Sequence, residues 1–144
     1  MAIEPARLFV DTWGWLALAD AKDPAHHKSV QVRRSYATRG ALVTSDYILD
    51  ETITRLFSRC PFSPAQIFCE RIFEARAVGM LTIEAITAAR FADAWKLRVR
   101  YRDKPQVSFT DLTSFVIMQE LSIRHVLTAD SAFAKAHLGF RVLP

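Results

Sequence analysis

The sequence has few cysteines, few glycines and no long apolar segment, and each shortage argues against a class of protein. Its two cysteines, Cys60 and Cys69, form no C-x-x-C pair, which argues against a disulfide scaffold and a structural zinc site. We therefore expect both thiols to be buried and reduced. The four glycines form no phosphate-binding or dinucleotide-binding loop. Apolar runs such as 13–19 are far shorter than the roughly 20 residues of a membrane-spanning helix, so we expect no membrane association.

The N-terminal residues lack the order of charged and apolar segments that marks a secretory signal. Glu4, Pro5 and Arg7 come before the first apolar stretch, and no basic segment leads into it. We therefore expect a cytoplasmic protein. A chain of 144 residues with 51% hydrophobic and 24% charged residues can bury its own core, so we expect a single domain over residues 1–144.

Short apolar segments alternate with segments of helical periodicity along the chain. We predict strands at 7–11, 41–44, 80–83, 124–128 and 140–143. We predict helices at 12–21, 23–38, 45–59, 63–78, 85–101, 111–121 and 132–137. This alternation implies right-handed crossovers and an α/β fold, a three-layer α/β/α sandwich with a central parallel sheet of about five strands.

Three of the predicted helices have recognisable starting residues. Asp23 can cap a helix that has Pro24 at its first position, and Ser63 with Gln66 has the spacing of a capping box. Thr110 is the expected cap of the helix at 111–121.

Carboxylates recur where the predicted strands end. Asp11 follows the first strand, Asp130 comes just after the fourth, and Asp111 lies in the first turn of a helix. Glu51 follows the second strand, and its longer side chain can reach the same edge of the sheet, where ligands bind in such folds. Each acid taken singly could instead only complement a helix dipole. Together, crowded carboxylates are best tolerated around a divalent cation, and a ligand set of oxygens alone favours Mg²⁺ or Mn²⁺.

Four short segments carry a resemblance to a known family, at 9–12 (FVDT), 49–52 (LDET), 108–111 (SFTD) and 128–133 (TADSAF). The sequence resembles the PIN-domain ribonucleases, and among them the VapC-type toxins of bacterial toxin–antitoxin pairs. The resemblance runs from about residue 8 to 143, and between 60 and 104 it rests on helix pattern alone. It departs from the family pattern at Ser131 and Ala132, where family members often carry a basic or strongly polar residue.

The resemblance implies a metal-dependent endoribonuclease that leaves a 5′-phosphate and a 3′-hydroxyl. It implies that four acids hold Mg²⁺ or Mn²⁺, namely Asp11, Glu51, Asp111 and Asp130. Asp50 could compete with its neighbour, but the family pattern selects the glutamate. Nearby hydroxyls are expected either to orient these carboxylates and metal-bound water or only to cap helices; they belong to Thr12, Ser108, Thr110 and Thr128.

The excess of positive charge suits an RNA substrate. The chain carries 19 Lys and Arg against 15 Asp and Glu. Without the four proposed ligands, 19 basic residues remain against 11 acidic ones, so the rest of the chain has a net charge of +8. A basic run near the third motif supplies the candidate RNA contacts Arg98, Arg100, Arg102 and Lys104. The alternative for this run is a solvated helix face. The tryptophans at 13, 15 and 95 could stack on bases or pack in the core.

The chain also has more apolar positions than one small core needs, among them Trp13, Trp15, Leu16, Leu18 and the phenylalanines at 57, 62, 68 and 73. We expect exposed apolar patches that serve a homodimer and, as the resemblance implies, a cognate antitoxin.

Two alternatives stay open at this point, a housekeeping RNA-processing nuclease of the same fold and a catalytically silent module that binds nucleic acid or protein. A haloacid-dehalogenase-like phosphatase fits poorly, because the second acid it needs would stand where Trp13 is.

Overall fold

The five predicted strands form one parallel sheet at the centre of the molecule. The computed structural model describes residues 6–144, so the expectation drawn from Glu4 and Pro5 lies outside the described residues. The strands are β1 (Leu8–Val10), β2 (Leu42–Ser45), β3 (Leu81–Glu84), β4 (His125–Leu127) and β5 (Arg141–Leu143). The helices are α1 (Thr12–Ala19), α2 (His26–Arg34), α3 (Asp46–Arg59), α4 (Phe62–Ala77), α5 (Ala88–Arg100), α6 (Phe109–Glu120) and α7 (Ala132–Lys135).

The strand order places the ends of β1 and β4 side by side. The order is β3-β2-β1-β4-β5 with every pair parallel, so the chain first builds outward from β1 on one side and then returns to build on the other. Helices α1 to α4 pack against one another and α5 to α7 against one another, which gives the predicted α/β/α arrangement. Ligand sites in such sheets lie where the direction of building reverses, which here is the β1–β4 edge.

The central strand β1 and most of α6 are buried. Leu8, Phe9 and Val10 are fully buried, as expected for a parallel strand covered on both faces. The α6 segment from Asp111 to Met118 is buried throughout. An acid at the start of this helix is therefore enclosed by the protein rather than exposed on its surface.

Gly14 lets α1 lie directly on the end of β4. A Cβ built at this position would be only 2.4 Å from the carbonyl oxygen of Leu127, which is too close for any side chain. The close approach sets the position of α1, and with it the position of Asp11, which immediately precedes that helix.

Two predicted helix starts are wrong for local reasons. Asp23 accepts a hydrogen bond from the amide of Ala25 in a turn, and α2 begins only at His26 and is shorter than predicted. Ser63 does not cap α4, which begins at Phe62.

A third predicted cap is also wrong. Helix α6 is capped by Ser108 rather than Thr110.

The expectation for the cysteines is half correct. Cys69 is buried and Cys60 is only partly buried, and both are free thiols. None of the helices in residues 6–144 combines the length and the apolar character that a membrane span needs.

Candidate active site at the carboxyl edge of the sheet

Three aspartates meet where the sheet changes direction. Asp11, Asp111 and Asp130 each present a carboxylate oxygen, and these oxygens lie within 4.8 Å of one another. Asp11 directly follows β1, and its amide donates to the carbonyl of Leu127 at 3.1 Å, which joins the ends of β1 and β4. The three carboxylates that the sequence placed at this edge are thus brought together.

Thr128 connects two of the three acids. Its hydroxyl donates to Asp11 Oδ2 at 2.7 Å and accepts from the amide of Asp130 at 2.9 Å. The carboxylate of Asp130 in turn accepts from the amide of Ala132 at 2.9 Å, at the start of α7. The short segment after β4 therefore fixes two carboxylates by hydrogen bonds that its own sequence supplies.

Asp111 is held by the first turn of α6. The amide of Asp111 donates to Ser108 Oγ at 3.0 Å, and the amide of Ser108 donates to Asp111 Oδ2 at 3.1 Å, a reciprocal capping box. Of the hydroxyl residues predicted beside the acids, Ser108 and Thr128 contact aspartates and Thr12 contacts Glu51. Among the described residues, the Thr110 side chain makes no hydrogen bond to any of the four acids; only its carbonyl is used, by Thr113 and Ser114.

Glu51 lies beside the three aspartates and outside their group. It is partly exposed on α3, where Oε2 accepts from the Thr12 hydroxyl at 3.0 Å and Oε1 pairs with Arg55 at 3.3 Å. Its negative charge still contributes to raising the pKa of Asp111. Of the four acids that the sequence predicted to converge, three therefore lie close together.

Burial and mutual repulsion raise the pKa of two aspartates. Burial is the largest cause of the rise of the Asp11 pKa to about 7, and the charges of Asp111 and Asp130 add to it while the Thr128 hydrogen bond opposes it. The pKa of Asp111 rises to about 6, again mainly through burial and then through the charge of Asp130. Without a cation the cluster is costly to ionise, because a buried carboxylate loses hydration and its neighbours repel it.

The donor set fits a hard divalent cation. It consists of carboxylate oxygens, and each aspartate has one oxygen bound by a hydroxyl or amide, which orients the other one. Oxygen donors of this kind suit Mg²⁺ or Mn²⁺ rather than a softer metal. A bound cation would also remove the electrostatic cost that raises the two pKa values.

The predicted RNA contacts are placed unequally. Arg98 donates to the backbone carbonyls of Tyr101, Lys104 and Val107, the first two at 2.8 Å, so its guanidinium holds the 101–107 loop together. Its assignment as an RNA contact is not supported by this position. Arg100 and Arg102 are exposed, and the ammonium of Lys104 lies 3.1 Å from Asp103.

The tryptophans divide in the same way. Trp15 is buried and its indole donates to Thr44 Oγ1 at 3.1 Å, so stacking of RNA bases on it is excluded by its position in the core. Trp95 is exposed. Trp13 is partly buried, and the guanidinium groups of Arg55 and Arg59 lie over its ring. No pattern in the sequence indicated these two contacts; the only related signal was the i, i+4 spacing of Glu51 and Arg55.

Comparisons with known proteins agree with this geometry. The family model for the PIN domain matches residues 8–137. The chain is 34% identical over 133 residues to the 23S rRNA-specific endonuclease VapC20 of Mycobacterium tuberculosis, covering 90% of this chain and 93% of that one. It is 27% identical over 132 residues to a VapC ribonuclease of Archaeoglobus fulgidus, covering 90% and 81%.

Solved structures show the same likeness. The crystal structure of Mycobacterium tuberculosis VapC20, described as a Sarcin-Ricin loop cleaving toxin, matches with a TM-score of 0.78 and 32% identity over 95% of this chain and 99% of that one. The structure of FitAcB from Neisseria gonorrhoeae shares the fold, with a TM-score of 0.64 and 14% identity over 95% and 96%. The chain therefore belongs to the PIN-domain family and, within it, to the VapC type.

Proposed function

We propose that this chain is a metal-dependent endoribonuclease and the toxin of a VapBC-type toxin–antitoxin pair. One observation carries the proposal. Three carboxylates with oxygens within 4.8 Å of one another lie at the β1–β4 edge, in a chain that is 34% identical over 90% of its length to an endonuclease specific for 23S rRNA. The cluster suits metal-assisted phosphodiester hydrolysis, in which a divalent ion is bound next to the scissile phosphate.

Each residue of the site has a distinct task in this proposal. Asp11, Asp111 and Asp130 hold Mg²⁺ or Mn²⁺, and Glu51 stands beside them. An ion held there would supply an acidic water and would stabilise charge on the phosphate oxygens. Thr128 keeps the carboxylate of Asp11 in one orientation by its 2.7 Å hydrogen bond. Because Asp11 is only 2% exposed, little solvent competes for its carboxylate.

The substrate that we propose is a structured loop of ribosomal RNA. VapC20 is named for 23S rRNA and described as cleaving the Sarcin-Ricin loop, and it covers nearly the whole of this chain. The formal charge of +4 favours a polyanion, although it carries no sequence preference.

The test is cleavage of a labelled Sarcin-Ricin loop fragment with Mg²⁺, with Mn²⁺ and with EDTA. We expect cleavage with either metal and none with EDTA. Replacing Asp11, Asp111 or Asp130 by asparagine should reduce the rate of cleavage by about 100-fold or more, because all three carboxylates contribute to metal binding. Asp93→Asn removes an exposed carboxylate on α5 and serves as the control. A wild-type protein that cuts neither this loop nor total RNA with any divalent metal would refute the proposal.

We further propose that the chain is a homodimer. Of the apolar residues predicted to exceed the needs of one core, Phe57, Phe62 and Phe73 are exposed, whereas Trp15 and Leu16 are buried. A stripe on α5, consisting of Phe91, Trp95 and Val99 at i, i+4, i+8 spacing, is about half exposed and suits a helix of a second copy. Light scattering is expected to give a dimer for the wild type and a monomer for Trp95→Ala; a wild-type monomer contradicts the proposal.

The proposed antitoxin site is an apolar groove of about 530 Å³ between α1, α2 and α4. Leu18 and Phe68 line its apolar floor, and Arg33 and Arg71 lie on its walls. We expect Leu18→Asp to prevent a co-expressed antitoxin from inhibiting the protein while RNA cleavage continues. Full inhibition of that variant would place the antitoxin elsewhere.

A further inference from the structure

An arginine stands one helical turn beyond Glu51. Nε and Nη2 of Arg55 both lie 3.3 Å from Glu51 Oε1. The guanidinium carbon of Arg55 is 5.1 Å from the ring centroid of Trp13, and that of Arg59 is 5.5 Å from the same ring. Trp13 is therefore a fixed platform that keeps Arg55 beside the acids, because an arginine over an indole face is held by cation–π attraction.

Among residues 6–144, Arg55 is the one cation that forms an ion pair with any of the four acids. The remaining basic partners pair with acids elsewhere: Arg90 with Glu84 and Glu120, Lys96 with Asp93, and Lys104 with Asp103. The four carboxylates repel the phosphates of an approaching RNA. Arg55 is a positive group beside these carboxylates, where it offsets part of that repulsion.

An open cleft connects Arg55 to the start of α6. The cleft has a volume of about 620 Å³ and is lined by residues of α3 and of the start of α6, namely Tyr47, Asp50, Glu51, Thr54, Arg55, Ser108 and Thr110. Asp111 directly follows Thr110, so a strand of RNA bound in this cleft would lie next to the acidic cluster. Thr110, whose hydroxyl makes no hydrogen bond to the four acids in the described chain, is one of these lining residues.

The contact between Arg55 and Glu51 is of a kind that a phosphate can replace. Both side chains are more than a third exposed, at 39% and 37%, and both donors converge on a single oxygen at a long distance instead of forming the two-oxygen fork. Exposed pairs at i, i+4 are weak, whereas a guanidinium binds phosphate through two parallel hydrogen bonds.

We propose that Arg55, seated on Trp13, is a substrate-binding residue that exchanges Glu51 for an RNA phosphate next to the acidic cluster. The proposal rests on the proposed ribonuclease function. If Arg55 served only to pair with Glu51, its guanidinium would not contact RNA, whereas the proposal requires that contact.

The test is RNA binding in EDTA, where no cleavage occurs, measured by fluorescence anisotropy with a labelled Sarcin-Ricin loop fragment over a series of salt concentrations. Arg55→Gln is expected to weaken binding about tenfold and to reduce the slope of log K against log salt by about one, the value for one lost phosphate contact. Arg55→Lys keeps the charge and loses the fork, so it should fall between. Arg59→Gln is the matched control, since Arg59 covers the same ring and contacts none of the acids in the described chain.

Steady-state cleavage with Mg²⁺ adds a second measurement. A lost phosphate contact should raise KM while kcat stays within a few-fold. Unchanged melting temperatures for Arg55→Gln and Arg59→Gln confirm that both variants fold.

Three results would overturn the inference. Wild-type affinity of Arg55→Gln in EDTA shows that Arg55 does not touch RNA. Equal losses for Arg55→Gln and Arg59→Gln show a general field of positive charge instead of a contact. A fall in kcat with unchanged RNA affinity shows that Arg55 acts only through Glu51. Failure of the proposed ribonuclease function would be recognised independently. In that case the wild type would cut no RNA, but the binding of RNA in EDTA could still be measured.

Discussion

Asp111→Asn should stabilise the metal-free protein and abolish cleavage. The structure gives the size of the first effect. The Asp111 pKa is about 6 against an ordinary 3.8, so ionising this carboxyl in the folded state costs about 3 kcal/mol at 1.36 kcal/mol per pKa unit. This is an upper limit, because Asp11, whose pKa is also raised, can take up a proton instead. Asparagine removes the charge and keeps a carbonyl oxygen that can accept from the amide of Ser108.

The pH dependence gives the sign. A carboxyl whose folded pKa lies above its unfolded pKa binds more protons in the folded state, so stability falls as pH rises from about 4 to about 6 and stays low above that. The gain from Asp111→Asn should therefore be present at about pH 8 and absent at about pH 4. If Asp111 only complemented the α6 dipole, neutralising it should cost up to about 1 kcal/mol at about pH 8.

Urea denaturation in EDTA, at two pH values, measures the effect directly. Asp93→Asn, on the exposed face of α5, should change stability little at either pH. Addition of Mn²⁺ should then raise the melting temperature of the wild type more than that of Asp111→Asn, because the variant binds the ion less tightly. A variant that is less stable than the wild type at about pH 8 and retains its metal response would refute the argument from repulsion.

The remaining predictions concern the groups around the cluster. Thr128→Val should cost about 2 kcal/mol by leaving the buried Asp11 carboxylate without its donor, and Thr128→Ser should recover most of it in urea titrations. Gly14→Ala should cost about 1–3 kcal/mol, because the added Cβ meets the Leu127 carbonyl; an unchanged melting curve would contradict that contact. Metal binding at about pH 6.5 should release roughly one proton from Asp11 and Asp111 together, and almost none at about pH 9, by calorimetry in buffers of different ionisation enthalpy.

The positions of Asp11 and Asp130 could be predicted because they depend on topology alone. Strands that alternate with helices are parallel, so the acids after β1 and β4 must share an edge whatever the loops do. Asp111 lies on α6, where the capping box with Ser108 fixes it at the first turn. Glu51 is different, since it lies further along α3 and the direction of its side chain depends on packing. Its ion pair with Arg55 and its bond from Thr12 leave it beside the cluster instead of within it.

The basic run shows what a sequence cannot separate. Arg98 and Arg100 look alike in a run of positive charge, and both lie on α5. Only the folded 101–107 loop brings three carbonyls to the guanidinium of Arg98, and it leaves Arg100 exposed. Hydrogen bonds between a side chain and a distant part of a loop have no periodic signature in the sequence. The charge pattern therefore predicted four equivalent RNA contacts, whereas the structure places these basic side chains in different surroundings.

Asp111 shows that a capping acid and a cluster acid can be the same residue. The spacing of Ser108 and Asp111 is that of a capping box, and the structure forms both of its hydrogen bonds. The bond from the amide of Ser108 to Asp111 Oδ2 favours the ionised carboxylate. Burial and the charge of Asp130 act in the opposite direction and outweigh it, because the pKa of Asp111 is well above its ordinary value. The capping bonds therefore fix the orientation of Asp111, while the balance of charge around it is left for a cation to correct.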